Sequence, residues 1–516
     1  MSGHTRYLDR LSVRAEEAPH TPAVIEATGR QLTRRELTEQ VRAVAAGLRA
    51  AGMKPGDHAL FSVRPGIDAL VLILAIHESG GVIVPIDPSM SAELFRNRLA
   101  QLSPAWVFAE SILLASSSRW LSWLLRRRGM AFAPLGRVGG VRYVRTGSWL
   151  PGSPASRTVG ELARQGSAGA PDAPAPEPQA DAFVVFTSGT TGQPKGVVHT
   201  QASLDATLDS VGRELRITMG DVLYSRELHL MLPALFAGAR VVIARRTGFS
   251  AEGTLGDFLR FGVTHAFAVT SDAQALADHC RAVGRQLPGT LRMLLIGGAP
   301  VPVAFLQRLR EFVTPATEVW CIYGMTELLP IASVSMRAKL AASLEGDFVG
   351  TAVAGVEARV GDGGELVVRG PGLFSRYLGQ EPVREHRTGD LARIDAGGIT
   401  LLGRARDMII RGEYNIYPAL YEPAFDRLPG VRRSAMIGIP DHAGADERVV
   451  VVVEPANGVE PLELERTVYK ALHSGKLAID GFARPDHVVA LAIPEAGRSS
   501  KVDKATLRRL VLERLR

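Results

Sequence analysis

The chain is poor in cysteine, in lysine and in long apolar runs. Its 516 residues include only two cysteines, Cys280 and Cys321. Two thiols cannot build a disulfide framework and no Cys/His cluster has zinc spacing, so a reducing, cytoplasmic setting without a structural metal is expected. No apolar run reaches the ~18 residues that a membrane span needs. The longest candidate, Leu70 to Val84, is interrupted by His77, Glu78 and two glycines, and reads as a buried helix followed by a strand. The first twenty residues likewise lack the apolar core of a signal peptide. Of 60 basic residues only seven are lysines (Lys54, Lys195, Lys339, Lys470, Lys476, Lys501, Lys504), which leaves 53 arginines against 53 acidic residues and a formal charge of +7. Because Arg alternates with Asp and Glu along most of the chain, a phosphate-tracking stripe and nucleic-acid binding are not expected.

What the chain does have is alternation. Short β-branched runs at Gly81 to Ile86, Ala182 to Thr187, Arg240 to Ala244, Leu291 to Ile296 and Glu318 to Tyr323 are separated by helix-patterned stretches, which indicates α/β architecture. The Gly/Ala/Pro-rich stretch Gly166 to Gln179 sustains neither periodicity and reads as an exposed linker. After about residue 355, Gly-rich turns at 361–364 and 397–398 mark hairpins. From Val431 a compact α+β pattern follows: strands at Ser434 to Ile439, Arg448 to Glu454 and His487 to Ile493, with helices at Pro461 to Leu472 and from Asp503. The expected fold is therefore a large amino-terminal domain of α/β subdomains with a β-rich hairpin region, residues 1–405, and a small mobile α+β domain, residues 406–516.

The segment Phe186-Thr-Ser-Gly-Thr-Thr-Gly-Gln-Pro-Lys-Gly196 follows an apolar strand. A loop packed with Gly, Ser and Thr offers N–H groups and hydroxyls to anionic oxygens, and Lys195 adds a point charge, so the composition is that of a phosphate cradle. The spacing G-x-x-x-x-G-K-[ST] of a Walker loop is not met.

This segment resembles the signature loop of the adenylate-forming superfamily, which includes acyl-CoA synthetases, firefly luciferase and peptide-synthetase adenylation domains. Four further motifs follow in the family's order: Tyr323-Gly-Met-Thr-Glu327, Thr388-Gly-Asp390, Gly403-Arg-Ala-Arg-Asp-Met-Ile-Ile-Arg-Gly412 and Ile493-Pro-Glu-Ala-Gly-Arg-Ser-Ser-Lys501. The resemblance implies that a carboxylate attacks the α-phosphate of MgATP to give an acyl-adenylate and pyrophosphate, after which the acyl group passes to a thiol. Two anions meet in that step, so positive charge and donors are needed where charge accumulates. On the resemblance, Thr187, Ser188, Gly189, Thr190, Thr191, Gly192 and Lys195 would hold the phosphates, Thr326 would touch the α-phosphate, and Glu327 would hold Mg²⁺. Asp390 and Arg404 would bind the ribose. Gly298, Ala299 and Pro300 would line the adenine pocket, with Tyr323 stacked on the base beside Gly324. Lys501 would bridge carboxylate and α-phosphate in the transition state. Arg406 stands at the family's hinge position, usually Asp or Lys, and Ser500 stands where Gly usually precedes the lysine. The loop Ile409 to Tyr417 would receive a thiol, Gly412 permitting close approach of a pantetheine arm.

The acyl pocket is less legible. His229 fits a gate on the carboxylate site or a satisfied core histidine, and Met231, Leu232, Leu235 and Phe236 fit an acyl tunnel or plain core. Arg119 to Arg128 (RWLSWLLRRR) could rest on an anionic membrane, but such a run more often packs its aromatics on the core and solvates its charges, and that packing is the expectation. The expected activity is that of an acyl-CoA synthetase-like ligase using ATP, Mg²⁺ and CoA or another phosphopantetheine thiol. The alternatives are loading of an acyl carrier protein, β-lactone formation from a 3-hydroxy acid, and an inactive nucleotide-binding regulatory protein.

Overall fold

The structure, a computed structural model, describes residues 6–127, 130, 132–166, 176–187, 195–245, 248–342, 346–404, 408–416, 418–441, 446–475, 477, 479–496 and 501–515. The α/β architecture expected from the alternation is present. The described residues form two large sheets, of thirteen and eight strands. The helices Arg34–Ala50, Ile67–Glu78, Gln201–Leu215 and Leu228–Phe236 are buried between them in one shared core. Ile67–Glu78 is apolar on nearly every side because both of its faces meet a sheet. Its one buried carboxylate, Glu78, accepts bonds from Arg6 and from the backbone N–H of Leu8. As expected, a strand, Val82–Pro85, follows directly.

The thirteen-stranded sheet has a parallel half and an antiparallel half. The run Arg240–Ile243, Val222–Ser225, His265–Val269, Met293–Gly297 and Glu318–Met325 is parallel. Leu328–Ser335 then turns back, and the hairpins Glu365–Arg369, His386–Asp395 and Gly398–Arg404 continue the sheet antiparallel. In such a sheet ligands bind beyond the carboxyl ends of the parallel strands.

After Ile409 the chain builds a smaller unit around a three-stranded sheet, Val431–Pro440, Glu447–Pro455 and His487–Ala490. Its two faces follow the period of two. Met436, Val449, Val451 and Val453 point to the side that carries Ile409, Ile416, Tyr421 and Phe425. Ala435, Ile437, Val450 and Val452 point to the other side, against Ile493, Val502, Leu507 and Val511. The first side is the one turned toward the large unit: Leu94 joins its core, and Arg98 donates to Asp480, which also accepts from the Tyr421 hydroxyl. Both ends of the Arg98–Asp480 pair are buried.

Two local expectations are corrected. Gly166 ends the helix Val159–Gly166 and packs so closely on Arg34–Ala50 that a Cβ would overlap the Ala43 carbonyl, so a linker cannot begin there; most of the stretch to Gln179 lies outside the described residues. In the helix Arg119–Arg127 the aromatics do not pack on the core. Trp120 and Trp123 are 53% and 55% exposed, because Leu121 takes the inward position. Among the described residues no helix is long and apolar enough to cross a membrane.

Candidate active site

The cradle begins where Asp181–Thr187 pairs with Lys195–Thr200, the last described rung being Thr187 opposite Lys195. Ser188, Gly189, Thr190, Thr191 and Gly192, which would form the rest of the cradle, lie outside the described residues. Lys195 sits with its ammonium 4.9 Å above the Tyr377 ring. The Tyr377 hydroxyl donates to Glu327 Oε1 at 3.0 Å. Burial pushes the Glu327 carboxyl up, and the Tyr377 bond and the Lys195 charge pull it back. Glu327 is thus a buried carboxyl with a hydroxyl donor and a lysine close by.

Thr326 and Glu327 form the tip between Glu318–Met325 and Leu328–Ser335, with Met325 opposite Leu328. The tip is fixed from below. His199 bonds the Thr326 carbonyl through Nε2 at 2.8 Å, and its Nδ1 meets the Ser203 hydroxyl at 3.3 Å. Burial holds His199 below the usual imidazole value, which keeps it neutral at pH 7. The backbone N–H of Phe374 donates to the Glu327 carbonyl.

Beside the tip, the Tyr323 hydroxyl donates to Asp390 Oδ2 at 2.5 Å. Asp390 is buried, its own N–H bonded to Thr388 Oγ1, and it faces Arg404 across the ladder from His386–Asp395 to Gly398–Arg404. Gly298, with φ +83°, follows Met293–Gly297 at the sheet's carboxyl edge, and Thr270 holds the Ala299 carbonyl. The structure thus brings Lys195, Thr326, Glu327, Tyr323 and Asp390 to one edge, with Gly298, Ala299 and Pro300 on the neighbouring strand end.

The small unit meets this edge at Gly298. Ile409–Arg411 and Tyr414–Ile416 form a hairpin with Gly412, φ +57°, in its turn. Gly412 donates its N–H to Asp446, and Tyr414 stacks on Phe482 at 4.5 Å. A Cβ on Gly298 would stand 3.5 Å from the Glu413 Cα, so the hairpin tip closes on Gly298. Glu413 is raised by burial and by Glu227, and its charge raises His229 against the desolvation that lowers it. His229 is exposed, so it is not a core histidine. Asp272, 3.7 Å from Arg226, is pushed up to about 6 chiefly by burial. By contrast Met231, Leu232, Leu235 and Phe236 are all buried in the central core, where they hold the two sheets together.

A model of the AMP-binding enzymes matches residues 11–378. The chain belongs to the AMP-binding enzyme family. It is 31% identical over 474 residues to the feruloyl-CoA synthase of Amycolatopsis sp, covering 86% of this chain and 88% of that protein. It is 29% identical over 466 residues to the olefin β-lactone synthetase of Stenotrophomonas maltophilia, covering 81% and 80%. Among solved structures it resembles the amide bond synthetase McbA of Marinactinospora thermotolerans, with a TM-score of 0.77, 25% identity and coverage of 98% and 99%. The expected family and α/β fold therefore stand, and the chain is an acid-activating ligase of the acyl-CoA synthetase kind.

In this AMP-binding enzyme Lys501 pairs with Ala496 in a short hairpin, Glu495–Ala496 with Lys501–Val502. Val502 packs on the face of the small sheet opposite the Gly412 hairpin. The two devices read from the sequence are thus carried back to back. Arg406 and Ser500, the two departures from the family pattern, lie outside the described residues. Sequence reasoning missed Tyr377 and His199. Tyr377 lies in Gly379's turn region outside any motif, and only its long-range pairing with Lys195–Thr200 brings it to Glu327. His199 was findable as the polar residue of an otherwise apolar strand, KGVVHT.

Proposed function

We propose that the chain activates a carboxylic acid with MgATP and transfers the acyl group to a thiol, with CoA as the acceptor. A carboxylate oxygen attacks the α-phosphorus, the bond to pyrophosphate breaks, and the thiol sulfur then displaces AMP from the acyl carbon. The observation that carries this reading is the cluster of Lys195, Tyr377 and Glu327 at the edge where the Gly412 hairpin of the small unit approaches Gly298. Glu327 fits Mg²⁺, which takes few protein carboxylates when phosphate oxygens complete its shell. The metal would neutralise phosphate charge. Tyr323 and Asp390 would hold the nucleoside, with Arg404 opposite on the ladder, and His229 would border the acyl carboxylate as a hydrogen-bonding neighbour. The domain boundary is taken near residue 405, with the small unit turning about Arg406 to exchange the Gly412 hairpin for Lys501. Cys280 and Cys321, both buried free thiols, suit a cytoplasmic enzyme.

Carboxylate-dependent exchange of labelled pyrophosphate into ATP tests the first step, and loss of free thiol on adding CoA tests the second. Exchange across fatty, aryl and 3-hydroxy acids with CoA consumed supports the reading. No exchange with any acid would favour a regulatory nucleotide-binding protein. The similarity to a β-lactone synthetase keeps a second reading: adenylate or lactone accumulating while CoA stays untouched. Acyl transfer to a carrier protein with CoA refused would move the acceptor to that protein.

A further inference from the structure

We infer that the helix Arg119–Arg127, with the loop at Trp149, is a docking surface for an anionic lipid bilayer. The inference stands apart from the proposed activity. Trp120, Trp123, Leu124 and Arg127 fall at i, i+3, i+4 and i+7, one face of the helix. That face is turned outward: the two indoles are more than half exposed and Leu124 is 36% exposed, whereas Leu121 behind them is buried. Trp149, 52% exposed, joins the same surface, since a Cβ on Gly152 in its loop would lie 3.4 Å from Trp120 Nε1. Three of the chain's five tryptophans are therefore presented to solvent within thirty residues of one another.

The segment that carries this patch has charge of one sign. From Ser111 to Gly160 the chain contains eight arginines and no Asp or Glu, an exception to the mixed charge seen elsewhere. Arg119, Arg127 and Arg137 are exposed. The Arg127 guanidinium covers the Trp123 ring at 3.9 Å, so the cation travels with the indole. A surface that offers apolar rings with polar N–H edges beside arginines that have no acidic partner among the described residues matches the headgroup level of an anionic membrane. An acidic protein would also satisfy the arginines, and it is the competing outcome of the test below. The contact is peripheral, because the helix spans nine residues and a bilayer crossing needs about 20.

The test uses the full chain with vesicles of phosphatidylglycerol and phosphatidylcholine, and of phosphatidylcholine alone, read by co-sedimentation and by tryptophan emission. The expected result is binding to the anionic vesicles with a blue shift, weakened by salt. Binding should fall by about tenfold or more in Trp120→Ser/Trp123→Ser and in Arg119→Glu/Arg127→Glu. All four positions are on the surface, so pyrophosphate exchange with a short, water-soluble acid or, failing that, the unfolding midpoint should match the parent and show that the fold is intact. No binding of the parent chain to anionic vesicles would overturn the inference, as would unchanged binding by both double variants. Capture of an acidic acyl carrier protein through these residues with vesicles ignored would overturn it too.

Discussion

Lys195 and Lys501 have the same standing in the sequence, two rare lysines at the ends of two motifs, and different standing in the structure. Lys195 belongs to the large unit, on a strand that pairs on both sides, with Tyr377 beneath it and Glu327 one bond further on. Lys501 belongs to a two-rung hairpin on the outer face of the small sheet, while the opposite face lays the Gly412 hairpin against Gly298. A motif therefore records what a residue is for, and the fold decides when it can act. Lys195 stands in the site as folded, whereas under the proposed function Lys501 would have to be delivered to it in exchange for the Gly412 hairpin.

The sharpest way to break this comparison is Lys501→Ala. Pyrophosphate exchange should fall by about 10³-fold, as when a transition-state charge partner is removed, with acyl transfer from added adenylate nearly unchanged. Equal loss in both assays would erase the distinction. Gly412→Val should do the reverse. At φ +57° a β-branched side chain is strained and would stand in the acceptor's way, so transfer should drop by about tenfold or more with exchange retained.

The standing site should also have an acid limit. His386, packed on Phe374 and Tyr377, is lowered to about 4 by burial, partly against Glu365 and with Lys195 assisting. Its folded pKa lies below the unfolded value of 6.5, so the stability it contributes is present above pH 6.5 and is lost as the pH falls to about 4. The loss is at most about 3 kcal/mol. Urea unfolding at pH 7 and pH 4.5 should register it, and His386→Gln should flatten the difference. The smallest effect expected is that of Tyr377→Phe, a few-fold higher Mg²⁺ requirement from loss of one hydrogen bond to Glu327. An unchanged Mg²⁺ dependence would separate Tyr377 from the metal end.

Much of this was legible in the sequence where chemistry is local. The alternation of strands and helices and the turn at Gly412 follow from short-range pattern. So does the gathering of Thr326 and Glu327 with Tyr323, because one motif sits at one hairpin tip. Contacts made across the chain were not legible. Arg98 and Asp480 are separated by 382 positions, and nothing near either announces an ion pair between units. Tyr377 reaches Glu327 only because Arg376–Tyr377 adds to the edge of the eight-stranded sheet. The helix Arg119–Arg127 misled for another reason. It is apolar on two sides, and period alone cannot say which side the core will take.

The most direct test of the central claim is to lock the small unit where it stands. A Cβ on Gly481 would lie 2.8 Å from the Ser89 Cβ, so the pair Ser89→Cys/Gly481→Cys is close enough to be bridged with a small adjustment. With the disulfide formed, acyl transfer from added adenylate to CoA should persist while carboxylate-dependent pyrophosphate exchange stops, and reduction should restore it. Full exchange in the locked, oxidised protein would contradict the alternation of Lys501 with the Gly412 hairpin.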